Sequence, residues 1–172
     1  MLLPIVLSLA VASSGEPYSG PRPDDEFWTK LARHAGIQPL RVHRSLRLIR
    51  VAWALFPGTI VTVVPTADGG AQVETRVLPD WRKEGAVVRT RKLSQDRYES
   101  LRDLAKTGFW TQPPVAPTGA PCANDGVVWY IEGLREGERY AIVRHEPDDP
   151  HIRAVCAEFM TIIGEADLAP HP

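Results

Sequence analysis

The densest group of side chains that could bind a metal ion spans residues 145–151, where the sequence reads HEPDDPH. Imidazoles and carboxylates are ligands that zinc and similar ions accept, so this stretch is a candidate metal site. In the metalloprotease pattern H-E-x-x-H, however, the two histidines lie four positions apart on one helical face. Here they are six positions apart, and Pro147 and Pro150 interrupt any helix between them.

The same stretch also has a structural explanation, as the start of a helix. Asp149 is typical of a helix N-cap, and Pro150 is preorganised for the first helical position. We therefore predict no cofactor. A metal-dependent hydrolase that uses His145, Asp148 and His151 is kept as an alternative function.

Paired carboxylates are a second source of chemistry, and Asp125, Glu132 and Glu138 are the candidates. Glycosidases need two carboxyl groups about 5–9.5 Å apart across a cleft, and sequence spacing alone does not establish such a distance. Asp125 precedes Gly126, which is typical of a turn. The sequence also lacks a phosphate-binding loop, a dinucleotide fingerprint and a G-x-S-x-G nucleophile elbow. No catalytic set is therefore predicted.

An apolar leader and two cysteines together predict the compartment. Residues 1–12 read MLLPIVLSLAVA, an uncharged run shorter than the roughly 20 residues of a transmembrane helix, with a small-x-small end. We interpret it as a signal peptide and expect a periplasmic or secreted protein without stable membrane insertion. In an oxidising compartment Cys122 and Cys156 are expected to form a disulfide. Such a bridge would stabilise the fold by roughly 3–4 kcal/mol.

The rest of the chain has the length of one domain. Residues 13–23 are rich in Ser, Gly and Pro and are predicted to be a flexible lead-in. Residues 24–164 are predicted to form a single domain, and residues 165–172 a loose tail.

Charge is unevenly distributed along this domain, although the net charge is only −1. Residues 30–50 contain six cations and no acid, whereas residues 125–172 contain ten acids and four arginines. We expect these two regions to pair within the fold. Arg44, Arg47 and Arg50 recur at every third position, a spacing that drifts around a helix and gives weak support for a basic stripe. The near-neutral net charge of the chain argues against nucleic-acid binding.

Cap and turn signals divide the domain into helices and strands. Helices are predicted at 24–35, at 95–107 after Ser94 as the cap, and after Asp149. Strand patterns dominate the remainder, with a hairpin turn at 68–70 and an aromatic-rich hairpin near the C-terminus. The predicted fold is therefore α+β, with an antiparallel sheet of about five strands, three helices and one disulfide.

Four motifs run through the domain: RSL at 44–46, GFW at 108–110, DGVVWYIEG at 125–133 and YAIVR at 140–144. Together they resemble a family of small exported proteobacterial proteins with the pattern R-S-F, G-F-W and D-G-x-x-W-x-x-E-G. That family has no established activity, so the resemblance implies an exported bacterial domain and supplies no catalytic residue. The chain departs from the family at Ala141, where the family often has histidine.

These observations favour a non-enzymatic periplasmic binding or interaction module, with a periplasmic protein or a small ligand as its partner. The candidate surface combines cations and acids around a tryptophan of the C-terminal hairpin: Arg44, Asp125, Trp129, Glu132 and Arg144. A further alternative is an inhibitor of a secreted hydrolase, which predicts a protruding loop at 111–123 that fits a partner's cleft.

Overall fold

Six strands form one antiparallel sheet in the order β4-β3-β2-β1-β5-β6. The structure is a computed structural model that describes residues 31, 33–52, 58–79, 85–112, 127–145 and 149–164. The strands are β1 (Leu46–Ala52), β2 (Gly58–Pro65), β3 (Ala71–Leu78), β4 (Val87–Leu93), β5 (Val127–Arg135) and β6 (Glu138–His145). The first four form a meander, and the β5–β6 hairpin joins the free side of β1.

Two helices, α1 (Gln95–Gly108) and α2 (Pro150–Ile163), pack against each other on one face of this sheet. Neither is long and apolar enough to cross a membrane, and no other helix within the described ranges is. The helix-side core contains apolar side chains of the central strands and of both helices, including Leu46, Leu48, Val61, Val63, Leu101, Ile131, Ile142, Ile152 and Phe159.

The opposite face of the sheet is covered by the segment that leads into β1. Leu31 and Ala35 of this segment are buried against a second apolar cluster that includes Ile49, Tyr130 and Val143. Two arginines of the sheet fasten it: Arg76 donates to the carbonyl of Ala35 at 2.7 Å, and Arg47 donates to the carbonyl of Gln38 at 2.7 Å. Central strands are consequently apolar on both faces, as expected when both are covered.

The predicted count of five strands, three helices and one disulfide is wrong. The described residues form six strands and two helices. Because β1 pairs with β2 on one side and with β5 on the other, all six strands join a single sheet. Most of the first predicted helix lies outside the described residues. Its last turn is described: the N–H of Ala35 bonds to the carbonyl of Leu31 at 2.9 Å.

The predicted disulfide is wrong because Cys156 is a free, buried thiol. Its side chain lies in the helix-side core on the apolar face of α2, where a cysteine behaves as a small hydrophobic residue. Burial raises the pKa of Cys156 to about 12. Cys122, its expected partner, lies outside the described residues.

The ends of the two helices follow the sequence signals only in part. The carboxylate of Asp149 accepts from the N–H groups of His151 at 2.8 Å and Ile152 at 3.1 Å, which confirms the predicted cap of α2. Ser94 lies at the N-cap position of α1, but its side chain makes no capping hydrogen bond. Gly108, one residue beyond the predicted end, is the last residue of α1 and is helical, and a Cβ there would lie 2.7 Å from the carbonyl oxygen of His151.

The two N-cap positions give a matched prediction. Asp149→Ala should lower the free energy of unfolding by about 1 kcal/mol, because two N–H groups lose their acceptor. For a domain of this size that corresponds to a fall in Tm of about 2–4 °C. Ser94→Ala removes no capping hydrogen bond and should leave Tm nearly unchanged. Thermal unfolding followed by circular dichroism measures both, and equal losses would contradict the assignment.

The state of Cys156 is tested by alkylation without reductant. At pH 8 a thiol of pKa about 12 is ionised in only about one molecule in ten thousand, and it is also shielded by the core. Iodoacetamide should therefore modify Cys156 slowly in native protein and completely in guanidinium, as read by peptide mass spectrometry. If Cys156 is modified in denatured protein only after reduction, the residue is in a disulfide and the free-thiol assignment is wrong.

Candidate functional site

A cleft of about 270 Å³ opens between α1, the loop before β1 and the turn between β5 and β6. We call it the basic cleft, because its charged lining has four Lys or Arg side chains against two carboxylates. Its lining residues are His43, Arg44, Leu46, Arg102, Asp103, Lys106, Trp110, Arg135 and Glu136. Three separate segments of the chain therefore contribute charge to one concave surface.

Helix α1 supplies the first wall of the basic cleft. Arg102 and Lys106 are four positions apart, so they project from the same face of the helix. The guanidinium of Arg102 lies 5.7 Å from the centroid of the buried Tyr98 ring, a cation–π distance. The Tyr98 hydroxyl donates to the carbonyl of Arg44 at 3.0 Å, which links α1 to the second wall. Burial raises the pKa of Tyr98, so this hydroxyl keeps its proton.

The loop before β1 supplies the second wall, and Arg44 is its central residue. Arg44 has φ 65°, a left-handed conformation that costs a non-glycine residue about 1–2 kcal/mol. Its backbone is held in that conformation on both sides: its N–H donates to the carbonyl of Leu134 at 2.7 Å, and its carbonyl accepts from Tyr98. The side chain of Arg44 is thereby directed by a fixed backbone into the lining of the cleft.

The β5–β6 turn, Glu136–Gly137, supplies the third wall. Both residues have positive φ, 56° and 83°, as a two-residue type I′ turn requires. The N–H of Glu136 donates to Nδ1 of His43 at 2.9 Å, which fixes the turn against the loop before β1. This hydrogen bond requires an unprotonated Nδ1 on His43.

Trp110 contributes an aromatic face to the lining of the cleft. The guanidinium of Arg135 lies 5.1 Å from its ring centroid, and the rings of Phe109 and Tyr140 lie 4.6 and 6.0 Å away. The indole reaches this position only because residue 133 is glycine: a Cβ on Gly133 would lie 2.5 Å from an atom of the Trp110 ring. The GFW motif thus contributes a surface as well as core packing.

The cations of the basic cleft have no acidic partners in the described part of the chain. Ion pairs within 4.0 Å there join Arg47 and Arg139 to Glu132, Arg76 to Glu74, and Arg97 to Glu158, and none includes a cation of the cleft. Cations grouped in a concave surface without carboxylate partners raise the local positive potential and attract anions. The geometry therefore suits the binding of an anionic group.

No protein-family model and no curated protein matches this sequence. The resemblance to small exported proteobacterial proteins therefore rests on the residue motifs alone and stays a prediction.

The sequence-predicted surface residues are distributed over three places. Arg44 lines the basic cleft, whereas Trp129 and Arg144 are cross-strand partners on the helix-facing side of the sheet. The guanidinium of Arg50 lies 5.4 Å from the Trp129 ring, and Arg144 is buried. Glu132 points to the opposite face of the sheet, because side chains alternate along β5. Asp125 lies outside the described residues.

Glu132 belongs to a buried ionic network. Its carboxylate accepts from the guanidinium of Arg47, from Nε of Arg139 at 2.8 Å and from the hydroxyl of Tyr130 at 3.3 Å. Arg47 also donates to Oγ1 of Thr62 at 2.9 Å, so it bridges three strands. Burial lowers the pKa of Arg47, and burial followed by the charge of Glu132 raises the pKa of Tyr130. The three guanidinium nitrogens of Arg47 and both carboxylate oxygens of Glu132 have protein partners, so these buried groups serve the fold and offer no free ligand position.

The two alternative sites fall largely outside the described residues. Asp148 is not described, and His151 lies exposed in the first turn of α2. Within the described ranges, no group of three or more His, Cys, Asp and Glu side chains is placed to hold a metal ion. Of the loop at 111–123, Thr111 and Gln112 are described, and the amide of Gln112 donates to the carboxylate of Asp149 at 3.1 Å.

The ionic network predicts unequal effects for substitution of Glu132 and for substitution of Arg139, which donates to the Glu132 carboxylate. Glu132→Gln should lower the free energy of unfolding by about 3–5 kcal/mol, because it leaves the buried Arg47 charge uncompensated. Arg139→Ala should cost only about 1 kcal/mol, since 56% of the Arg139 side chain is exposed. Urea unfolding at pH 7 measures both.

A double variant separates loss of charge balance from loss of packing. Arg47→Met with Glu132→Met removes both buried charges and should be more stable than Glu132→Gln alone. If the double variant is instead the less stable of the two, the network contributes through packing rather than charge balance.

Proposed function

We propose that this protein is a non-enzymatic binding module that holds an anionic group in the basic cleft. The observation that carries the proposal is the set of four cations, Arg44, Arg102, Lys106 and Arg135, around one tryptophan, with no ion-pair partner among the described residues. Grouping these charges is unfavourable in the empty protein, and an anion relieves their repulsion.

The chemistry of the lining supports binding rather than covalent catalysis. It offers guanidinium and ammonium donors, an indole face and two carboxylates, and it includes no serine, threonine or cysteine nucleophile. The imidazole of His43 already accepts a hydrogen bond from the backbone of Glu136 through Nδ1. That nitrogen supports the cleft wall and is not available as a base.

The size of the cleft limits its ligand. Its volume of about 270 Å³ lies just below the roughly 300–1,000 Å³ typical of small-molecule sites. It therefore suits a small multivalent anion, or the charged end of a larger ligand. Guanidinium groups pair bidentately with both carboxylate and phosphate, so either chemistry is compatible with the lining. Because the cations are near the surface, binding should weaken as salt rises.

Export to the periplasm or beyond is part of the proposal. It is supported by the apolar leader at residues 1–12, which lies outside the described residues. Because Cys156 is a free thiol in the core, no disulfide of this residue supports an oxidising compartment. The periplasmic or secreted assignment thus rests on the leader alone.

Anion binding is tested with pyrophosphate and citrate as probes, which represent phosphate and carboxylate chemistry. At low salt, isothermal titration calorimetry should detect binding of at least one of them, with quenching or enhancement of tryptophan fluorescence. Arg102→Gln with Lys106→Gln should weaken the affinity at least about tenfold, because two of four cations are lost.

The matched control removes the same charge elsewhere. Arg33→Gln with Arg153→Gln changes two exposed arginines outside the cleft and should leave the affinity within about twofold of wild type. Equal weakening by both double variants would show a non-specific charge effect. Absence of binding of both anions to the wild-type protein at low salt would also contradict the proposal.

A further inference from the structure

Strand β4 differs from every other strand in its exposure. It lies at one end of the sheet, pairs with β3, and has no other strand partner in the part of the chain that the structure describes. Its side chains from Val87 to Lys92 are all exposed. Val87 and Val88 are 53% and 47% exposed, unusual for large apolar side chains in a sheet. The opposite end strand, β6, has buried side chains from Ala141 to Arg144.

With respect to the described residues, the outer side of β4 therefore offers a row of backbone N–H and C=O groups for pairing. An open strand of this kind is a template for a further strand, and proteins use such edges to bind extended peptides. Exposed valines on both faces of β4 would gain apolar contact from an added strand. The edge is independent of the basic cleft, since no β4 residue lines it.

The charges on β4 indicate which kind of strand can pair with it. β4 carries Arg89, Arg91 and Lys92 and no acid. An antiparallel second copy centred on Arg91 would place the Arg91 side chains of the two chains opposite each other, and like charges directly opposite are destabilising. The cations therefore oppose self-pairing, whereas carboxylates in the same cross-strand positions would be stabilising.

We propose that β4 is a docking edge for an extended acidic segment of another protein, which adds to the sheet as a seventh, antiparallel strand. The alternation of β4 specifies the segment: apolar side chains opposite Val87 and Val88, and carboxylates opposite Arg89, Arg91 and Lys92. Arg89 and Arg91 lie on one face of the sheet and Lys92 on the other, so the acids must be divided between the two faces.

The probe for this edge is the capped peptide Val-Glu-Glu-Thr-Glu-Val-Val, which places glutamates opposite all three cations in antiparallel pairing. A matched peptide with lysine in place of each glutamate is its control. Amide hydrogen exchange followed by NMR should show protection of β4 amides by the acidic peptide and none by the basic one. β6 amides should not change.

Charge reversal makes the test specific. Arg91→Glu with Lys92→Glu should weaken the acidic peptide about tenfold or more and improve binding of the basic peptide, because two cross-strand pairs change sign. The same charge change at exposed positions outside the edge, Arg33→Glu with Arg153→Glu, should leave β4 protection within about twofold.

Four outcomes would overturn the proposal. The first is absence of β4 protection by the acidic peptide. The second is loss of that protection in an Arg102→Glu with Lys106→Glu variant, which would locate the peptide in the basic cleft. The third is concentration-dependent β4 protection without peptide, which would identify a second copy as the occupant. The fourth is equal protection by a short DNA duplex, which would show that charge alone is read.

Discussion

The buried ion pair between Arg47 and Glu132 connects the two parts of this protein. Arg47 lies on β1, within the meander that ends at β4, and Glu132 lies on β5, within the later hairpin; they are cross-strand neighbours separated by 85 positions in the sequence. Removing two charges from water is costly, and the pair tolerates this because Thr62, Tyr130, Arg139 and the carbonyl of Gln38 complete its hydrogen bonds. A one-residue slip of β1 would turn Arg47 into the apolar helix-side core. We infer that the pair fixes the register of β1 on β5.

That register also assembles the basic cleft. With Leu46 opposite Gly133, the loop before β1 comes beside the end of β5, and Arg44 and Ser45 exchange backbone hydrogen bonds with Leu134. Gly133 then lies beneath Trp110, and the β5–β6 turn reaches His43. The cleft is thus a consequence of strand alignment, with α1 added from the other side through Tyr98.

Local signals in the sequence predicted local structure well. The Asp149 cap and the turn at 68–70 depend on neighbours within a few positions, and the structure confirms them. Ser94 shows the limit even there, because a good capping residue does not guarantee the hydrogen bond. The disulfide prediction is wrong because it was inferred from the expected compartment, whereas Cys156 is a free thiol in the helix-side core.

Non-local features were beyond the sequence patterns. Arg44, Arg47 and Arg50 looked like a weak stripe, yet strand geometry sends Arg47 to one face, Arg50 to the other, and leaves Arg44 in the loop. Arg102 and Lys106 could not be identified as site residues from the sequence, because an exposed helix face is normally charged. Only the tertiary structure shows that they meet Arg44 and Arg135.

The position of β1 in the middle of the sheet also has a consequence for the order of assembly. Its partner β2 follows within a few residues, but its partner β5 is the second strand from the C-terminal end. A chain emerging from the ribosome therefore exposes one side of its central strand until residues 127–133 are available. During that interval the nascent protein presents an unpaired strand edge with apolar side chains, which is prone to aggregation.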